Sequence, residues 1–282
     1  MIDPELINLR DFQLIAFDID GTLMGSDHLI RPFTRDTLFR LREAGFPFTL
    51  ATGKSLPGTI SQADALEIDL PLILVNGGVL QTRSGSILHA ITLPEDVVRT
   101  TIDLCEQEKR DLVMYDGDKI YFKEMNDNMR PVYGHLTTGL QAIGEWGTIS
   151  ARMAHINKCL VVDTTRREHL ISMGEIFEAA FNGIVDVLHT SAVLVEVMPK
   201  GVNKLEGLKK LTEQMGIPIS RVMAFGDFDN DVEMLSAAGL GVAVSNASAR
   251  AKDAADLIVG SVDEEGPARF LAELIDRLPA SI

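Results

Sequence analysis

The chain has 282 residues, 46% hydrophobic and 24% charged, enough for a sizeable core in one large domain or two smaller ones. Its 26 basic and 41 acidic residues leave a formal net charge of -15, which argues against a nucleic-acid partner, since broad phosphate binding needs clustered Lys and Arg. No run reaches the length of a membrane span, the N-terminus has no basic start or long apolar stretch, and Cys105 and Cys159 form no metal-ligand spacing. The expectation is a cytoplasmic protein with no membrane partner and two buried thiols.

The first third alternates strand and helix. An apolar strand over residues 13–18 runs into Asp18-Ile19-Asp20-Gly21-Thr22. A helix over 34–44 places Leu38, Leu41 and Ala44 at helical spacing and ends at Gly45. A strand over 46–51, a loop and helix, and a buried strand over 72–75 ending at Asn76-Gly77-Gly78 complete this part. The rhythm predicts a parallel sheet with helices on both faces. The middle reads differently. Residues 79–93 suggest a hairpin turning at 83–86, followed by a helix after Pro94 and short strands near 111–115 and 119–123. A strand over 155–163, a helix over 166–181 and a strand pair over 184–197 follow, while 124–150 carries no clear pattern. After Pro199 the first rhythm returns: helix 203–215, strand 221–226, helix 229–238, strand 240–244 and short strand 256–259. The expected fold is therefore α/β, a doubly wound, Rossmann-like parallel-sheet core over 1–83 and 197–282. An α+β module over 84–196 is inserted into it.

Four polar constellations fall at the carboxyl ends of predicted strands or on the helices that follow, where open α/β sheets bind ligands. Asp18 and Asp20 lie two residues apart after the first strand, so alternation turns both to one face, and Gly21 lets the chain turn sharply. Two close carboxylates repel unless a cation neutralises them, which suits a Mg²⁺ site with one carboxylate left as nucleophile. Thr52 and Gly53 follow the second strand, supplying a hydroxyl and close backbone approach to an anion before a helix start. Lys204 opens a predicted helix, where its charge opposes the macrodipole unless a carboxylate or phosphate is near. Gly226-Asp227-Phe228-Asp229-Asn230-Asp231 follows a strand. Asp227 could complete a cluster with Asp18, Asp231 could equally be a helix cap, and the hard oxygen donors match Mg²⁺ rather than zinc.

In order and spacing these segments resemble the four motifs of the haloacid dehalogenase superfamily, most closely its subfamily IIB Cof-type phosphatases, over nearly the whole chain. The resemblance implies a Mg²⁺-dependent phosphatase acting on a small phosphorylated metabolite, with a sugar phosphate expected. Asp18 would be the nucleophile that forms an aspartyl-phosphate, and Asp20 the general acid and then base. Asp18, Asp20 through its backbone carbonyl, Asp227, and Asp231 as ligand or holder of a metal-bound water would be the metal residues. Lys204, Thr52, Gly53, Gly21 and Asn230 would surround the phosphate. The insertion would be the subfamily's cap, with His89, Tyr115, Tyr121, Asn126, His155, Lys158 and His189 as candidate contacts. Two positions depart from the family pattern: Lys54 stands where Arg is usual, and Leu205 where Gly often follows the lysine. Two rivals remain at this stage: a phosphotransferase or phosphomutase, and a non-catalytic protein that binds a phosphorylated ligand.

Overall fold

A computed structural model describes residues 2–279. The chain forms two compact units. One comprises the residues up to Gly53, Thr59–Leu88, and Asn203 onward; the other comprises Lys54–Gly58 and His89–Val202. The sequence pattern divides the chain at 83/84 and 196/197. The boundaries in the structure fall a few residues later, and a short piece after Gly53 joins the second unit.

The first unit is built on a parallel sheet in the order Leu257–Val259, Leu240–Val244, Val222–Gly226, Leu14–Phe17, Phe48–Leu50. A parallel bridge from Ala51 to Ile73 adds the next strand, Leu72–Leu74, beyond Phe48–Leu50. Numbered by sequence the spatial order is 6-5-4-1-2-3, the doubly wound arrangement whose direction of winding reverses between strands 1 and 4. The crevice at that reversal lies between the ends of Leu14–Phe17 and Val222–Gly226, which are followed by Asp18 and Asp227.

Both faces of this sheet are covered. Leu14 and Ala16 point into a core with Leu208, Leu211, Met234, Leu235 and Ala251 from the helices that follow Asn203. On the other face Phe17 stacks on Phe225 at 4.8 Å, and Phe225 meets Phe270 at 6.3 Å. Phe270 belongs to the helix Gly266–Asp276, which is absent from the elements expected from sequence. Its signal is present in the apolar spacing of Phe270, Leu271 and Leu274 behind a Pro at the first turn. The first helix runs Pro32–Glu43 and buries Leu38 and Leu41 on this face, with Ala44 as its cap.

The second unit is a sheet in the order Val185–Ser191, Leu194–Pro199, Lys158–Val162, Asp111–Asp116, Lys119–Phe122, Leu140–Ala142. Its pairs are antiparallel except the last, which is parallel. The helices Glu95–Gln107 and Arg167–Phe181 cover one face, burying Val98, Ile102, Met173 and Phe177 against Met114, Cys159, Val161 and Val197. The unpatterned stretch holds a short helix Arg130–Tyr133, the strand Leu140–Ala142 and a 3-10 run Trp146–His155. That run takes residue 155, so the strand expected over 155–163 starts only at Lys158. Hydrophobic period cannot reveal a parallel edge strand three residues long. Among the described residues no helix is long and apolar enough to cross a membrane.

One close approach fixes where the functional helix begins. Gly77 has φ +92, and a Cβ there would lie 2.1 Å from the Asn203 carbonyl oxygen. Gly207, one turn into the helix Lys204–Met215, would place a Cβ 2.7 Å from the Gly77 Cα. Neither glycine has room for a methyl group, and Gly77 also needs the left-handed region. Gly77→Ala is expected to destabilise the protein by about 3 kcal/mol or more in urea unfolding. Exposed Gly147, where an added methyl group would meet nothing within 4 Å, is the control: Gly147→Ala should stay within about 0.5 kcal/mol.

Candidate active site

The strand Leu14–Phe17 ends one residue before Asp18, whose backbone N–H still donates to the Phe225 carbonyl at 2.9 Å. That bond carries the ladder to the carboxyl ends of the two strands, at the crevice. The chain then turns. Gly21 has φ +85, and a Cβ there would lie 2.2 Å from Asp227 Oδ2, so a glycine lets the first loop close on the fourth. Thr22 is buried and donates its hydroxyl to Asp227 Oδ1 at 3.2 Å.

Lys204 is the first residue of its helix and is completely buried. Its ammonium donates to Asp18 Oδ1 and to Asp231 Oδ1, both at 2.6 Å. The expected conflict with the helix macrodipole is thus resolved by two carboxylates. Asn203 caps the same helix by accepting the Glu206 N–H at 3.1 Å. Asp231 is also completely buried, and its other oxygen accepts the N–H groups of Asp227 and Phe228 at 3.0 and 3.1 Å. Gly226 allows this fold-back, since a Cβ there would sit 2.5 Å from Asp231 Cγ. Asp231 is therefore both a loop organiser and the second anchor of Lys204, more than the simple helix cap its position suggests.

Asp18, Asp227 and Asp231 bring one carboxylate oxygen each within 4.8 Å of one another. Strand alternation pairs Asp18 with Asp20 instead. The trio does not include Asp20, because the strand ends at Phe17 and Asp20 sits in a turn that bridges to Met24. Burial drives the Asp18 carboxyl well above its usual value against the pull of Lys204, and Asp231 and Asp227 push it further. Burial and then the charge of Asp231 raise Asp227 to about 6. Burial alone would discharge Lys204, but Asp18 and Asp231 outweigh it and hold the ammonium above the ordinary lysine value. Three carboxylates against one ammonium leave a buried excess of negative charge, carried by hard oxygen donors. Such a set fits a hard divalent cation and not a thiophilic metal.

Two further loops meet at Asn76. Thr52 is buried; its N–H donates to the Ile73 carbonyl at 2.8 Å, and its own carbonyl accepts from Asn76 N–H at 2.9 Å. Gly53 leaves space for Asn76, whose Oδ1 would lie 2.9 Å from a Cβ at that position. Asn230 donates to the same Asn76 Oδ1 at 3.0 Å. Asn76 has no role in the sequence-based site; only contact across three loops reveals it. It and Val75 both adopt positive φ, 52° and 53°. This conformation is costly for a β-branched residue and concentrates strain beside the site. Lys54 is half-buried and falls in the second unit.

In the second unit, Lys158 and Glu196 form a buried pair at 3.0 Å, with the Lys158 ammonium 4.9 Å from the centre of the Tyr115 ring. Tyr121 lies in the apolar core, and Asn126 donates to Asp111 at 2.8 Å. His155 and His189 are exposed, and His89 is half-buried.

The model of the haloacid dehalogenase-like hydrolases matches residues 15–271. The chain belongs to that family. Among its curated relatives is the 5-amino-6-(5-phospho-D-ribitylamino)uracil phosphatase of Bacillus subtilis, 29% identical over 92% of this chain and 96% of the relative. An HMP-PP phosphatase of Yersinia pseudotuberculosis is also 29% identical, over 92% and 94%. A crystal structure of a haloacid dehalogenase-like hydrolase from Bacteroides thetaiotaomicron superposes with a TM-score of 0.85 at 28% identity, covering 93% of this chain and 99% of the other. The match runs through both units, so this family member has the inserted module as well as the sheet.

A carboxyl whose folded pKa is raised binds its proton more tightly when folded, so its contribution to stability is present at low pH. It is lost as pH rises from the unfolded value of 3.8 through the folded value of about 6 for Asp227. A cation that neutralises the cluster therefore helps most above that range. A divalent cation bound by this cluster, at a hundredfold excess over its Kd, should stabilise the chain at pH 7.5 by about 2.7 kcal/mol, read as a raised Tm. At pH 4.5 the gain should be much smaller; equal gains at both pH values would count against these carboxylates as the cation site.

Proposed function

We propose that this hydrolase is a Mg²⁺-dependent phosphomonoesterase that cleaves a small phosphorylated metabolite, a sugar phosphate, through an aspartyl-phosphate on Asp18. The observation that carries the reading is the buried Lys204 ammonium held 2.6 Å from both Asp18 and Asp231, beside a third carboxylate. A solvated surface lysine would have no such setting. A buried cation next to a nucleophilic carboxylate is what phosphoryl transfer requires, since that chemistry depends on charge neutralisation and in-line positioning.

In this reading an Asp18 oxygen attacks phosphorus, forming the Asp18–phosphorus bond as the ester P–O bond breaks. Asp20 gives its proton to the departing alcohol oxygen. Asp20 then takes a proton from water, whose oxygen attacks the aspartyl-phosphate, releasing inorganic phosphate and restoring the Asp18 carboxylate. Lys204 balances negative charge on Asp18 and the phosphoryl oxygens throughout. Thr52, the Gly53 and Gly21 backbones and Asn230 orient those oxygens, with Asn76 holding Asn230 and the Thr52 loop together. Asp18, Asp227, Asp231 and the backbone carbonyl of Asp20 would hold Mg²⁺, which supplies positive charge to the phosphoryl group. Asp231 contributes chiefly by fixing Lys204 and the Asp227 backbone.

The second unit is read as the cap that sets selectivity for the leaving alcohol. The relatives support a small-metabolite substrate, and one name places the phosphate on a ribityl chain, a polyol close in chemistry to a sugar.

Asp18→Asn is expected to cut kcat by about a thousandfold or more while leaving the fold intact, since an amide cannot serve as the nucleophile. Turnover of an aryl phosphate by the purified variant near the parental rate would remove Asp18 from that role. EDTA should silence the parent and Mg²⁺ restore it, with Ca²⁺ a poor substitute because it prefers more ligands at longer distances. A panel of phosphorylated sugars, polyols and nucleotides then ranks the substrate classes.

A further inference from the structure

The turn that follows Asp20 is held from outside the four motifs. Gly21 donates its N–H to the Met24 carbonyl at 2.7 Å, and its own carbonyl accepts from Asn246 Nδ2 at 2.9 Å. Asn246 Oδ1 in turn accepts the Val262 N–H at 2.9 Å. A backbone donor on one side and a backbone acceptor on the other leave only one orientation for the carboxamide. Asn246 lies in the turn after the strand Leu240–Val244, 225 residues from Gly21. The same turn grips the fourth motif. Ser248 N–H donates to the Asp227 carbonyl at 2.8 Å, its hydroxyl donates to Asp229 Oδ1 at 2.7 Å, and Arg250 donates to Asp229 Oδ2 at 2.9 Å. This also accounts for Asp229, an acid of the motif that lies outside the carboxylate trio.

We propose that Asn246 is a positioning residue that sets the aim of Asp20, and that the segment Asn246–Arg250 holds the first and fourth motif loops in register. The peptide groups on both sides of Gly21 are hydrogen-bonded, so the plane that leads out of Asp20 is fixed before substrate arrives. Without the Asn246 bond the Gly21 carbonyl loses this tether, and the turn keeps its local bonds: Gly21 N–H to Met24, the Leu23 and Met24 N–H groups to the Ile19 carbonyl at 3.0 and 2.9 Å, and the Thr22 hydroxyl to Asp227. The proposal rests on the reading in which Asp20 moves protons to and from the reacting oxygens. Of the groups read as orienting the phosphoryl oxygens only the Gly21 backbone is on this turn, while Lys204, Thr52, Gly53 and Asn230 lie on other elements, so KM should change less than kcat.

Two variants test it. Asn246→Asp keeps the shape and the acceptor for Val262 but turns an oxygen toward the Gly21 carbonyl, whereas Asn246→Ala removes both bonds. Both should lower kcat for an aryl phosphate by about tenfold, the scale of a displaced catalytic group, and leave KM within about twofold. Hydrogen exchange read by mass spectrometry should quicken in both variants in the peptide spanning residues 17–24, with circular dichroism unchanged. Parental kcat in both variants, or unchanged exchange in that peptide, overturns the proposal. Loss in Asn246→Ala with parental behaviour in Asn246→Asp also overturns it, since the Val262 bond would then be the one that matters. If the parent hydrolyses no phosphate ester, the phosphatase reading fails instead, while the exchange comparison still reports whether Asn246 holds the turn.

Discussion

A single ammonium organises the site. Lys204 is wholly buried, yet charged, because Asp18 and Asp231 each accept one of its hydrogens at 2.6 Å. A buried charge without partners is very costly, and these two carboxylates are what hold this one charged. The lysine therefore ties the end of the first strand to the helix start after the fourth. Asp231 extends the tie by accepting the Asp227 and Phe228 amides. The arrangement still leaves more carboxylate than ammonium, and that imbalance favours a cation.

The lysine can stand there only because its helix is pressed against the Asn76-Gly77-Gly78 loop. Gly207 and Gly77 remove the side chains that would hold the two apart. The loop bears the cost in three successive residues with positive φ, of which Val75 and Asn76 are not glycine. The strain persists because the surroundings over-determine it: Asn76 is fixed by the Thr52 carbonyl and the Asn230 amide as well as by its place under the helix. These bonds tie the loop of Asn76 to the loops of Thr52 and Asn230.

Much of this was legible along the chain. The alternation of apolar strands and amphipathic helices, its interruption near residue 79 and its return after Pro199 correspond to the parallel sheet and the inserted module. Asp18, Thr52, Lys204 and Asp227 were readable because each falls beside the end of a strand or at a helix start, where local pattern is strongest. Elements whose partners are distant were less legible. The parallel edge strand Leu140–Ala142 and the 3-10 run Trp146–His155 have no period that a short window can detect. On the helix over 203–215, helical spacing puts Leu205, Leu208 and Leu211 on one face; Leu208 and Leu211 are buried, but Leu205 is only half-buried, and Lys204 and Gly207 take the inner positions.

By itself the sequence determined which chemical groups exist, their order, and which strand each would follow, because covalent spacing and side-chain period are local properties. Only the tertiary structure decided which of them meet. Alternation pairs Asp20 with Asp18, but the strand stops at Phe17 and the chain brings Asp227 and Asp231 to Asp18 instead. Asn76, Asn246 and Ser248 lie outside the four motifs, and Asp229 lies in the fourth but outside the carboxylate trio; their parts in the structure come from hydrogen bonds between loops far apart in the chain. Such contacts depend on strand order and the winding reversal between Leu14–Phe17 and Val222–Gly226, and no local pattern encodes those. Burial, which raises Asp18 and keeps Lys204 worth pairing, is likewise a property of the packed whole.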